Sequence, residues 1–209
     1  MKPLSTSMNL IVALLALSPT LASAQRAPSP RVIKCEGPFA RAGTHADVVK
    51  AFGSENVVYQ DIDGAEGEKV KATIVYPGDP TARLEIVWSQ EQARSVPIVR
   101  VKDQSAWALA SGLRVGMTLA DVEKMNRKPF KLSGFGWDYG GWATDWDNGT
   151  LGRPQPGGCL IGAAFTYGEG APEPSLSKVS GENEFTSNNP DMRAVKPIVS
   201  MVTISYQQR

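Results

Sequence analysis

The feature that most constrains this chain is a helix start that occurs twice. Thr44-His45-Ala46-Asp47-Val48-Val49-Lys50 and Thr118-Leu119-Ala120-Asp121-Val122-Glu123-Lys124 carry Thr, Ala, Asp, Val and Lys at the same offsets, 74 positions apart (118 − 44). A Thr with an acid three residues on predicts a capping box, in which hydroxyl and carboxylate satisfy N–H groups left open by the first turn. The acid also suits the positive end of the helix dipole. In the first copy Val48, Ala51 and Phe52 form one apolar stripe, and Gly53 stops the helix. That helix is short, so packing rather than propensity must hold it. In the second copy Leu119, Val122 and Met125 form the stripe, and Pro129 limits its continuation.

Strand-like runs follow each helix. After the first, 60–69 reads as a polar, acidic turn region. Val70–Tyr76 and Leu84–Ser89 then read as strands, joined by a turn at Pro77-Gly78-Asp79-Pro80. Val96–Val101 reads as a third strand, expected at a sheet edge because it carries Pro97. After the second helix, Phe135–Trp146 alternates in short pieces. Trp137 and Tyr139 point one way, and Trp142, Thr144 and Trp146 share a face after Gly140-Gly141. Asp147-Asn148-Gly149 signals a hairpin. Leu160–Tyr167 and Pro197–Tyr206 read as strands, the latter largely buried. Between them, 168–196 is rich in Gly, Pro, Ser, Asn and Glu. A loop that long is expected in a compact domain only when functional or mobile, and 191–195 adds one helical turn. The expected fold is α+β, with two tandem units, 43–111 and 112–209, each a short helix packed on an antiparallel sheet.

The ends and the cysteines bear on compartment. Lys2, the apolar run Met8–Leu17, Pro19 and Ala22-Ser23-Ala24 together predict a signal peptide over 1–24, cleaved to leave Gln25 first. No Cys stands at that cleavage point, which disfavours a lipid anchor. Residues 25–42 read as an extended leader in which Val32-Ile33 adds to a sheet edge. No later apolar run is long enough for a membrane helix. Without Lys2, 21 Lys plus Arg balance 21 Asp plus Glu, which argues against a nucleic acid partner or an anionic lipid surface. Cys35 and Cys159, 124 positions apart (159 − 35), are expected to form one disulfide in an oxidising compartment. Neither has a basic cluster that would make it a reactive thiol. The expected location is periplasmic or secreted.

Gly116-Met117-Thr118, Asp121-Val122 and Trp137-Asp138-Tyr139 resemble the SmpA/BamE-like module of bacterial envelope proteins. Two such units in tandem are similar to the architecture of the β-lactamase inhibitory protein family. The first copy has Ala42-Gly43-Thr44 without the Met, and no binding residue carries over. The resemblance implies a helix-plus-sheet repeat in a non-enzymatic envelope protein with a protein partner.

Candidate chemistry is sparse. His45 is the sole histidine, so any Ser-His-Asp or Cys-His site must use it. Beside a helix cap, it reads as a surface residue. Asp138, Asp145 and Asp147 between tryptophans offer carboxylates for glycoside hydrolysis, but Asp147-Asn148-Gly149 has the simpler explanation of a turn. Their spacing fails the EF-hand calcium pattern, and no phosphate loop, dinucleotide fingerprint or zinc spacing occurs. No cofactor, metal or catalytic residue is therefore expected. Trp137, Tyr139, Trp142 and Trp146 are the candidate binding residues, either as an exposed aromatic platform or as the core face of a sheet. The reading that results is a non-enzymatic protein-binding or scaffold module of the bacterial envelope. The alternatives are a cell-wall glycan-binding or glycan-active protein using the Trp/Asp cluster, and a secreted enzyme inhibitor.

Overall fold

The computed structural model describes residues 31–91 and 94–207. The predicted signal peptide and residues 25–30 of the leader lie outside the described residues. In chain order the elements are β1 (Val32–Ile33), α1 (His45–Phe52), β2 (Val57–Asp63), β3 (Lys69–Val75), β4 (Leu84–Glu91), β5 (Arg94–Lys102), β6 (Ala108–Leu109), α2 (Leu119–Asn126), β7 (Lys131–Ser133), β8 (Ala143–Asp145), β9 (Leu160–Thr166), α3 (Glu173–Lys178), β10 (Glu184–Thr186), α4 (Pro190–Ala194) and β11 (Ile198–Ser205). The fold is mixed α+β and mostly sheet.

Both helix starts are built as the residue pattern requires. At α1 the Thr44 hydroxyl accepts from the Asp47 N–H, and the Asp47 carboxylate accepts from the Thr44 N–H. Thr118 and Asp121 repeat this at α2. The Thr118 hydroxyl and backbone N–H hold the Asp121 carboxyl below its ordinary value. Gly53, at φ +84°, takes the chain out of α1.

Six strands form the main sheet in the order β2-β3-β4-β5-β11-β9, with every neighbouring pair antiparallel. Strands from before and after residue 112 thus share one sheet. A three-stranded sheet, β10-β7-β8, joins it through an antiparallel bridge between Trp142 and Ala164. β1 and β6 pair in parallel as a separate ribbon. The largest apolar cluster also draws on the whole chain. It holds Val48 of α1, Leu84 and Ile86 of β4, Val122 of α2, Met192 of α4 and Val202 of β11. The Cys35–Cys159 disulfide, with a Cα–Cα distance of 5.9 Å, fastens the segment after β1 to the start of β9.

Several expectations are corrected. Only 64–68 of the polar stretch 60–69 is the turn: Gln60–Asp63 belongs to β2, which pairs with β3 over seven residues from Val57↔Val75 to Asp63↔Lys69. Asp61 pairs with Lys71 at 2.8 Å and Asp63 with Lys69, so the charges that signalled a turn are cross-strand partners. β5 lies inside the sheet despite Pro97. Its register with β11 begins only at Val99, so the proline sits where the strand has β4 as its sole neighbour. Asp147 and Asn148 do form a turn, with φ of +50° and +57°, but it leads into a 3-10 turn at Thr150–Gly152 instead of a returning strand. Trp137 to Trp146 is not one strand, because β8 spans only Ala143–Asp145. The stretch 168–196 is ordered, carrying α3, β10 and α4, and α4 covers most of the expected turn at 191–195.

Candidate functional site

The two faces of the main sheet differ in cover. On one face, side chains of α1, α2 and α4 pack into the large cluster. On the other, Ala72, Ile74 and Val87 form a second apolar cluster with half-buried Ile62, Val70 and Ile98, and every member comes from a strand. Among the described residues no helix side chain joins that cluster, although Ala72 and Ile74 are fully buried and Val87 nearly so.

The registers align one position from each of β3, β4, β5, β11 and β9 across this face: Ile74, Glu85, Arg100, Thr203 and Gly162. Trp142 ends the row. A Cβ on Gly162 would lie 2.5 Å from the Thr203 hydroxyl oxygen, so the missing side chain leaves room for that hydroxyl beside the indole. Glu85 is 2% exposed. Its Oε1 accepts from Arg83 Nη2 at 3.0 Å and pairs with Lys102 Nζ at 3.2 Å, while Oε2 has no hydrogen-bond partner among the described residues. Arg100, directly opposite Glu85, forms no ion pair among the described residues. Three cations thus gather around one carboxylate on an otherwise apolar face. This charge cluster was missed in the sequence, where Glu85 between Leu84 and Ile86 looks like an ordinary polar position of a strand.

The four candidate aromatics separate. Trp146 is core: it is 9% exposed, its Nε1–H donates to the Ile161 carbonyl at 3.1 Å, and its ring lies 5.0 Å from that of Phe130. Its carbonyl accepts from the Nδ2 of Asn126 at 2.9 Å. That amide also donates to the Lys128 carbonyl, and its Oδ1 accepts from the Leu151 N–H. Asn126, fully buried, therefore ties α2 to two loops. Trp137 is half-buried and bonds to the Gly134 carbonyl at 3.0 Å. It packs edge-on against Tyr139 at 5.5 Å. Tyr139 is 45% exposed, and its hydroxyl reaches Glu66 at 3.5 Å, across the turn between β2 and β3. Trp142 is half-buried. Gly141 is required beside it: φ is +74°, and a Cβ would meet the Phe165 carbonyl oxygen. Trp137, Tyr139 and Trp142 thus border this second face of the sheet, and Trp146 does not.

The other candidates are structural. Cys35 and Cys159 are bonded to each other. Asp145 accepts from the Asp147 N–H at 2.7 Å, within the turn. His45 is not a free surface residue: its Nδ1 meets the Thr73 hydroxyl at 2.8 Å, and its ring lies 5.2 Å from Tyr59. Trp88 Nε1 can only donate, and it occupies the same hydroxyl oxygen at 2.8 Å. Among the described residues no Ser or Cys side chain hydrogen-bonds to that ring. Among the described residues no group of three or more His, Cys, Asp or Glu side chains has metal-binding geometry.

Two clefts lie elsewhere. One of about 330 Å³ lies beside the disulfide, between Ile33, Leu109, Gly157 and Ile204. One of about 460 Å³ lies between Leu119, Glu123, Arg193 and Pro197. Neither contains the candidate aromatics; in the second the Ser187 hydroxyl donates to the Glu123 carboxylate and accepts from the Phe130 N–H. No protein-family model matches this chain, and no curated protein and no solved structure matches it either.

Proposed function

We propose that this chain is a non-enzymatic protein-binding module of the bacterial cell envelope that engages its partner along the aromatic border of the main sheet's second face. The observation that carries the reading is the composition of that border. It has an exposed aromatic at Tyr139, half-buried ones at Trp137 and Trp142, and half-buried Arg100 without an ion partner among the described residues. Aromatic and arginine anchors are what protein interfaces use. The bonded cysteines are consistent with an oxidising compartment. The repeated cap geometry of α1 and α2 supports a tandem SmpA/BamE-like origin. Inhibition of a secreted enzyme is one form that such binding takes.

The test is a photo-crosslinking amino acid placed at Tyr139, on the aromatic border, or at Lys50, on the outer surface of α1, in the exported protein. The expected outcome is one discrete adduct from position 139 and none from position 50. Equal labelling from both positions removes the reading. A glycan-binding role keeps one supporting observation, the pairing of half-buried Trp137 with exposed Tyr139 at the rim. Titration of cell-wall glycans against tryptophan fluorescence decides it, and the absence of any shift eliminates it.

A further inference from the structure

We propose that two copies of this chain join edge to edge through β2, making one continuous sheet of their two six-stranded sheets. The inference does not rest on the partner proposed above. β2 ends the sheet, with β3 on one side and no described strand on the other. The phase of its backbone follows from bonds at both ends. Tyr76 N–H donates to the Asn56 carbonyl, and Gly64 N–H donates to the Glu68 carbonyl, each at 2.7 Å. The register between these pairs is unbroken. Hydrogen-bonded and non-bonded pairs alternate in an antiparallel ladder, so Val58, Gln60 and Ile62 turn their backbone groups toward β3. Val57, Tyr59, Asp61 and Asp63 turn theirs outward.

Edge strands are ordinarily blunted by proline, lysine, a bulge or short length. β2 has none of these over its seven residues. It also leaves Val58 37% and Tyr59 50% exposed. Its two acids are matched within the same chain, Asp61 to Lys71 and Asp63 to Lys69, so they do not set the two edges against each other.

The strand complements itself when two copies run antiparallel about a two-fold axis at Gln60. The outward groups then meet as hydrogen-bonded pairs: Tyr59 of one copy with Asp61 of the other, and Val57 with Asp63. Between them Val58 faces Ile62, an apolar pair on the same face as Ala72 and Ile74, so the apolar patch runs across the axis. A shift one way sets Asp61 against Asp61. A shift the other way sets Val58 against Gln60 and shortens the ladder. The centred register alone avoids both faults.

The test uses Gln60→Cys. Both native cysteines are bonded to each other, so this thiol is the one free thiol in the chain. At the axis it faces its own copy in a non-hydrogen-bonded pair, with a Cα separation of about 4.5 Å, inside the range for a disulfide. Mild oxidation is expected to give a covalent dimer of twice the chain's mass. Asp61→Cys, whose two copies are offset along the strands, is expected to give no covalent dimer. Equal cross-linking of the two variants overturns the register. A parent chain that sediments as a monomer at about 100 µM, together with a Gln60→Cys variant that forms no cross-link, overturns the dimer. Asp61→Pro removes an outward N–H and leaves the β3 ladder intact; it is expected to return the protein to monomer with its circular dichroism unchanged.

Discussion

At the scale of single residues, the polar side chains that matter most are buried. Asn126 satisfies three backbone groups from its own helix end and from the turns around Trp146 and Leu151. Asn126→Ala leaves those groups without partners in a closed site, at an expected cost of about 2–4 kcal/mol in urea unfolding. Glu85 is the second such case. Arg83→Met leaves the buried carboxylate with Lys102 as its remaining close partner, and about 1–3 kcal/mol of stability is expected to go. The half-exposure of both cations keeps that figure below the cost for a fully enclosed pair. Neither role is legible in the sequence. Asn126 looks like a helix-terminal residue and Glu85 like an exposed strand position, because their partners lie far along the chain. His45 shows the same limit: its position beside a cap suggested solvent, and the Thr73 hydroxyl that receives it belongs to β3.

Elements were legible where their causes are local. Both helices follow from a Thr, an Asp and a stripe within one window, and both capping boxes are formed. Thr44→Ala and Thr118→Ala are each expected to cost about 1 kcal/mol, and their sum is expected in the double variant because the caps are far apart. The cap also predicts a pH dependence. The Asp121 carboxyl is held low in the folded chain, so its contribution is present above its ordinary value of 3.8 and is lost as the pH falls through the lower folded value. Asp121→Asn is expected to flatten the acid limb of a thermal-stability profile and to leave the profile above about pH 5 parallel to that of the parent. Elements set by distant partners were not legible. β2 looks polar because its acids answer lysines on β3. In the stretch after β9, the Ser187 hydroxyl accepts from the Phe130 N–H and donates to Glu123. That serine anchors the segment to α2, and no local pattern announces it.

At the scale of the whole molecule, one sheet and one large cluster join residues from end to end of the described chain, and a disulfide spans 124 positions. Closing so long a loop stabilises by about 4–5 kcal/mol in the chain-entropy account, and less where the unfolded chain retains structure. Reduction, or Cys159→Ala with Cys35→Ala, is expected to lower the midpoint of denaturant unfolding, with secondary structure retained in native buffer. Of the candidate site, the presence of a Trp-rich border was legible and its geometry was not. Alternation could not separate Trp146, which packs on Phe130, from Trp142, which lies over Gly162.

The strand order carries one further consequence. β11 follows every other strand in the chain, yet it lies between β5 and β9. A ribosome delivers β5 and β9 first, and each waits with an unpaired edge until β11 arrives between them. The sheet is thus closed by a keystone, and any stalled or clipped chain lacking it presents two adhesive edges together to proteases and to its own copies.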